Sequence, residues 1–141
     1  MVVLGIALGG GLLLEHKRDA ALSVLPVRVS VEAIEYHLEI ADSDEERALG
    51  LGGRESLCEY CAMLFVFGQA GKHGFWMKGM RFPLDIVWLR GDRVVHIERA
   101  LTTENDTEVY SPSEAADRVL EFNAGAVPGL KVGERMQFLL H

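Results

Sequence analysis

The stretch GFWMKGMRFPLDIVWL (residues 74–89) sets three charges, Lys78, Arg81 and Asp85, among two tryptophans, two phenylalanines and two methionines. A carboxylate taken out of water is either neutralised by a partner or protonated, so charges in apolar surroundings are where binding and acid–base chemistry concentrate. PLDIVWL is apolar on both faces, which predicts a central strand with Asp85 at least partly inside the protein. A cation or backbone donors must then meet it. Lys78 and Arg81 are the nearest cations in sequence, and the KGMRFP connection can fold back across Asp85. Two readings stay open. In one, Asp85 is structural, held in an ion pair or locking a turn by accepting loop N–H groups. In the other it is an acid, base or ligand anchor, with Lys78 and Arg81 contacting an anion. Trp76, Tyr110 and Ser111 complete the candidate set, with Trp76 and Trp88 as walls of a groove or as ordinary core residues.

Cys58 and Cys61 are the only cysteines, in CEYC. A four-cysteine zinc site is excluded, though His73 or His37 could complete a mixed one. A redox CxxC normally opens a helix after a strand, where the dipole lowers the thiol pKa. This pair instead precedes the apolar run MLFVF. Structural thiols or a local disulfide, a metal site and redox chemistry all remain open. No H-E-x-x-H, G-x-S-x-G or P-loop sequence occurs, and no cofactor is expected. RGD (residues 90–92) reads as turn chemistry. NDT (105–107) is a glycosylation sequon with meaning only in a eukaryotic secretory pathway.

These residues must be positioned by short elements. Val27, Val29 and Val31 alternate with polar neighbours, then the phase flips to Ile34, Tyr36, Leu38 and Ile40. A period of two cannot change parity without a turn or bulge, so a hairpin is expected near residues 32–34. Ser43 with Glu46 forms a capping-box signature that opens one short helix, stopped by Gly52 and Gly53. Strands are expected in AMLFVF, HGFWMK, PLDIVWL, RVVHIERA, DRVLEFN and ERMQFLL. Gly91-Asp92 predicts a type II′ hairpin. In HGFWMK, Phe75 and Met77 face one way, Trp76 and Lys78 the other. Residues 101–116 form a long polar connection. The expected architecture is all-β: a mainly antiparallel sandwich or barrel-like domain of about eight short strands, with one short α-helix and a hydrophobic N-terminal segment.

That segment, VVLGIALGGGLLL (residues 2–14), is continuously apolar or glycine. As a helix it would reach about 20 Å, short of the hydrocarbon slab of a bilayer. Its length suits the core of an export signal or a short anchor. Residues 1–25 are thus expected to be a signal or anchor segment with a linker, and residues 26–141 a single domain. The 141 residues leave room for one core. A net charge of −7, with no basic cluster interleaved with aromatics, argues against nucleic acid as partner. Membrane contact is expected only through residues 2–14.

The blocks IADSDEERALGLGGRESL, MLFVF, HGFWMKGMRFPLDIVWL, RVVHIERA, YSP and VLEFNAG…LKVGERMQF resemble, in order and spacing, the domain-of-unknown-function-192 family. The resemblance covers roughly residues 27–140, and FWMK…PLDI is its most specific part. It implies a small prokaryotic protein with a compact β-rich fold, often behind a signal or lipoprotein-like leader, and no established activity. Family-like positions are Arg54, Glu55, Met63, Phe65, Trp76, Met77, Lys78, Pro83, Leu84, Asp85, Tyr110, Ser111, Gly125 and Gly133. The chain departs at KGM, where many relatives have Lys-Asn-Thr, and lacks the paired cysteines some relatives carry before YS. The function expected is a non-catalytic binding module of the cell envelope, exported or membrane-anchored, for a small anionic or polymeric ligand. Its site would be built from Trp76, Lys78, Arg81, Asp85, Tyr110 and Ser111. The alternatives are a structural or adaptor domain with a buried ion pair, and an enzyme using Asp85 as acid or base.

Overall fold

The computed structural model describes residues 3–4 and 25–140, so the expected signal or anchor segment lies almost wholly outside the described residues. Among those residues the chain forms nine strands and one helix: β1 (Val3–Leu4), β2 (Arg28–Val31), β3 (Ile34–Ala41), α1 (Asp44–Leu49), β4 (Cys61–Gly71), β5 (Gly74–Phe75), β6 (Leu84–Arg90), β7 (Arg93–Leu101), β8 (Ala116–Asn123) and β9 (Gln137–Leu139). Seven of them make one curled sheet in the order β7-β6-β8-β4-β3-β2-β9. Strands β1 and β5 pair separately.

The expected β-rich architecture with one short helix is what forms, as a half-barrel of one mixed sheet. Strands β3 and β4 run parallel, in contrast to the antiparallel pairing elsewhere. A parallel pair needs a crossover, and residues 42–60, which carry α1, supply it. Ser43 caps α1 as its spacing predicts: its side chain accepts from the Glu46 N–H, and the Glu46 carboxylate accepts from the Ser43 N–H. The parity flip is a two-residue turn at Glu32 and Ala33, with Val31 opposite Ile34. At the β6–β7 turn Gly91 takes the positive φ and Asp92 does not, as a type II′ turn requires. The run HGFWMK is strand only at Gly74–Phe75, because the chain then turns through Met77–Met80, where Gly79 has φ +77°.

Two apolar clusters cover the two faces of the sheet. One contains Met63, Phe65, Phe75, Met77, Leu84, Ile86, Trp88 and Val119. The other contains Val29, Tyr36, Leu64, Val87, Leu89, Leu120 and Phe122. Strand β6, central between β7 and β8, is buried from Leu84 to Leu89, as its two apolar faces predict.

Candidate functional site

An apolar groove of about 430 Å³ is lined by Ala48, Leu49, Gly52, Gly53, Trp76, Lys78 and Gly79. Two turns build it. The glycine-rich segment after α1 meets the turn after β5, tied by the Gly53 N–H donating to the Gly79 carbonyl at 2.9 Å. Both glycines have positive φ, 76° and 77°, a conformation other L residues adopt only at a cost. Lys78 is the one charged residue of the lining among the described residues. Its ammonium lies 5.0 Å from the centre of the Trp76 indole, a cation–π distance. The Trp76 Nε1 atom is buried with no hydrogen-bond partner among the described residues. Trp88, by contrast, is fully buried and donates to the His73 carbonyl at 2.8 Å.

Asp85 is 1% exposed, so it is interior as its strand predicts. Its neutralisation by Lys78 or Arg81 is corrected by the structure. Asp85 accepts from the backbone N–H of Ala100 at 2.8 Å and of Gly125 at 3.0 Å. Strand parity explains this. Side chains alternate across a sheet, so Asp85 shares a face with Val87 and Leu89, whereas the segment carrying Phe75 and Met77 packs on the face of Leu84, Ile86 and Trp88. Lys78 therefore faces the wrong side of the sheet to reach it. The use of Asp85 as acid or base requires solvent access, which 1% exposure does not give.

The remaining candidates are dispersed. Arg81 lies 3.6 Å from Glu55 at the surface, a pair of little energetic consequence. Tyr110 bridges Phe75 through two backbone hydrogen bonds of 2.8 and 2.9 Å, and its hydroxyl donates to Glu108 at 3.0 Å. Burial, with the Glu108 carboxylate, raises the Tyr110 hydroxyl above its ordinary pKa. Ser111 is exposed and its Oγ crowds Gly74, at 3.2 Å from where a Cβ would stand there. Of the six candidates, the structure brings Trp76 and Lys78 to one groove. Cys58 and Cys61 form a disulfide, Cα atoms 5.2 Å apart, and no metal-holding group of His, Cys, Asp and Glu occurs among the described residues.

A buried acidic residue on the face of Phe75 and Met77 is Glu121. It lies on β8 opposite Met63 and Ile86, is 0% exposed, and neither carboxyl oxygen has a hydrogen-bond partner among the described residues. Burial pushes its pKa up to about 8. The signal for it was present in VLEFN, a charge in an otherwise apolar run, but nothing local says which strands flank β8.

Two solved bacterial structures are similar. A protein described as a candidate transcription regulator from Sinorhizobium meliloti 1021 is 26% identical, over 79% of this chain and 90% of that one, with a TM-score of 0.72. A protein of unknown function from Novosphingobium aromaticivorans DSM 12444 is 27% identical, over 92% of this chain and all of the other, with a TM-score of 0.72. No curated protein matches. The family described as DUF192, Uncharacterized ACR, COG1430, matches residues 27–138, nearly the whole of the described domain, and the chain belongs to that family.

Proposed function

We propose that this chain is a non-catalytic binding module of the cell envelope whose groove at Trp76 and Lys78 takes a small anionic ligand with an apolar body. The observation that carries the reading is the groove's make-up. Its walls are an indole, two aliphatic side chains and glycine backbone, and Lys78 is its sole charge among the described residues. No carboxylate pairs with Lys78 among the described residues. An anion at the ammonium would complete its charge balance. The unpartnered Trp76 Nε1–H is a donor on the same indole whose face the ammonium covers. The envelope location rests on the apolar residues 2–14. Among the described residues no helix is long and apolar enough to cross a membrane.

Indole fluorescence tests the proposal, with Trp88 as an internal constant because it is fully buried. Titration of the full chain with medium-chain alkyl carboxylates and alkyl phosphates is expected to give a saturable change. Lys78→Met should abolish it and Lys78→Arg should keep it. Asp85→Asn should leave the affinity unchanged while lowering stability by about 2–4 kcal/mol, since it weakens the acceptor for two buried N–H groups. A response that Lys78→Met leaves intact, or no saturable response, would favour the adaptor reading. The Sinorhizobium meliloti relative's description suggests a regulator acting on nucleic acid. The net charge of −7 supports the opposite expectation here, no duplex retention in a gel shift at low salt.

A further inference from the structure

A second concavity, of about 320 Å³, lies at the end of the sheet where β3 and β4 begin and β8 ends. Its lining includes Tyr36, Glu59, Tyr60, Asn123, Gly125 and Ala126. The two tyrosine rings are tilted at 54° with centres 6.4 Å apart, Tyr36 buried at 2% exposure and backing the open ring of Tyr60. Tyr60 is 51% exposed, so its ring is open to solvent at the mouth of the notch. Glu59 stands beside it, and among the described residues no cation pairs with Glu59. Aromatic faces with an unpaired carboxylate attract a cation through both the ring quadrupole and charge.

The notch is also held in shape from three sides. The Cys58–Cys61 disulfide brackets Glu59 and Tyr60. The Asn123 side-chain amide donates to the Leu57 and Cys58 carbonyls, both at 3.1 Å. The Tyr36 hydroxyl donates to the Ala126 carbonyl at 3.0 Å, and buried Asp85 fixes the floor by accepting from the Gly125 N–H. Walls pinned this way spare a ligand the cost of ordering them. The Tyr36 hydroxyl is pushed up in pKa, by burial first and then by Glu32, Tyr60 and Glu59, which agrees with a negative potential in the notch.

We infer that this notch is a binding site for a small organic cation, an ammonium or guanidinium group seated on the exposed ring of Tyr60 with Glu59 as counter-ion and the buried Tyr36 as backing. In this arrangement Asp85 and Asn123 are positioning residues. The site is separate from the Trp76 groove and does not depend on its ligand.

The test is amide NMR titration of the full chain with methylguanidinium and, separately, tetramethylammonium, against sodium chloride at equal ionic strength. Saturable shifts confined to residues around Tyr60 and Gly125 are expected with the organic cations and not with sodium. Glu59→Gln should weaken binding tenfold or more and Tyr60→Leu at least fivefold. Both side chains are exposed, and an unchanged melting temperature shows that the fold is intact. Shifts equal to those from sodium chloride, or an affinity that Glu59→Gln leaves unchanged, would overturn the inference.

Discussion

A carboxyl on an interior strand of a sheet, with Met63 and Ile86 across from it and no hydrogen-bond partner among the described residues, is favoured as the neutral acid. The consequence for Glu121 is a stability that depends on pH. Its folded pKa of about 8 lies above the ordinary 4.5. Between those two values the folded chain keeps a proton that the unfolded chain releases, so stability falls as pH rises. Below 4.5 the penalty is absent; above 8 it is complete, on the order of 5 kcal/mol. Glu121→Gln removes the titrating group at nearly constant shape. Melting temperatures from pH 5 to 9 should fall more steeply for the native chain than for Glu121→Gln, and parallel curves would refute the assignment. The burial of Asp85 was legible in PLDIVWL because both faces of that strand are apolar. Its partners were not, since the Ala100 and Gly125 amides are 15 and 40 residues away in sequence and arrive only with the sheet order.

Turns are where the elements of this protein were most legible, and where one of them departs from its best chemistry. A hairpin loop of two residues with both φ positive favours Asn-Gly, since Gly has no Cβ to crowd the following carbonyl. Here the pair is Glu32-Ala33, at φ 50° and 64°. The flip in hydrophobic parity located this turn despite its residues. By contrast, Gly91 satisfies its own turn outright. Ala33→Gly should therefore stabilise the domain by about 1 kcal/mol, the relief of left-handed strain outweighing glycine's greater unfolded freedom. Urea unfolding would check it; a lower midpoint with unchanged slope would refute it. The parallel β3–β4 pair was harder to foresee. Its crossover contains only the six-residue α1, too short to announce a β-α-β unit.

At the scale of the molecule, the sheet is an open ribbon whose two ends nearly meet. Strand β7 is one edge and β9 the other. Yet the Val94 N–H donates to the Glu134 carbonyl, the Gly133 N–H to the Val94 carbonyl and the Met136 N–H to the Asp92 carbonyl, at 2.8, 2.8 and 2.9 Å. The segment just before β9 thus folds back onto β7 and covers part of that edge, which would otherwise offer unpaired groups to another chain. Met136, 4% exposed, anchors the segment in the cluster of Val29, Leu89 and Val94. If this closure is one cooperative unit, loosening the anchor must release both ends of the sheet together. Met136→Ala is expected to cost about 2–4 kcal/mol. In native-state hydrogen exchange it should speed the Val94 and Gly133 amides along with those of β9. The amides of Val119–Phe122, in the middle of the sheet, should open only with global unfolding. Were β9 to lose protection while Val94 kept the rate of the centre, the two edges would be independent, and the curl would follow from strand twist alone.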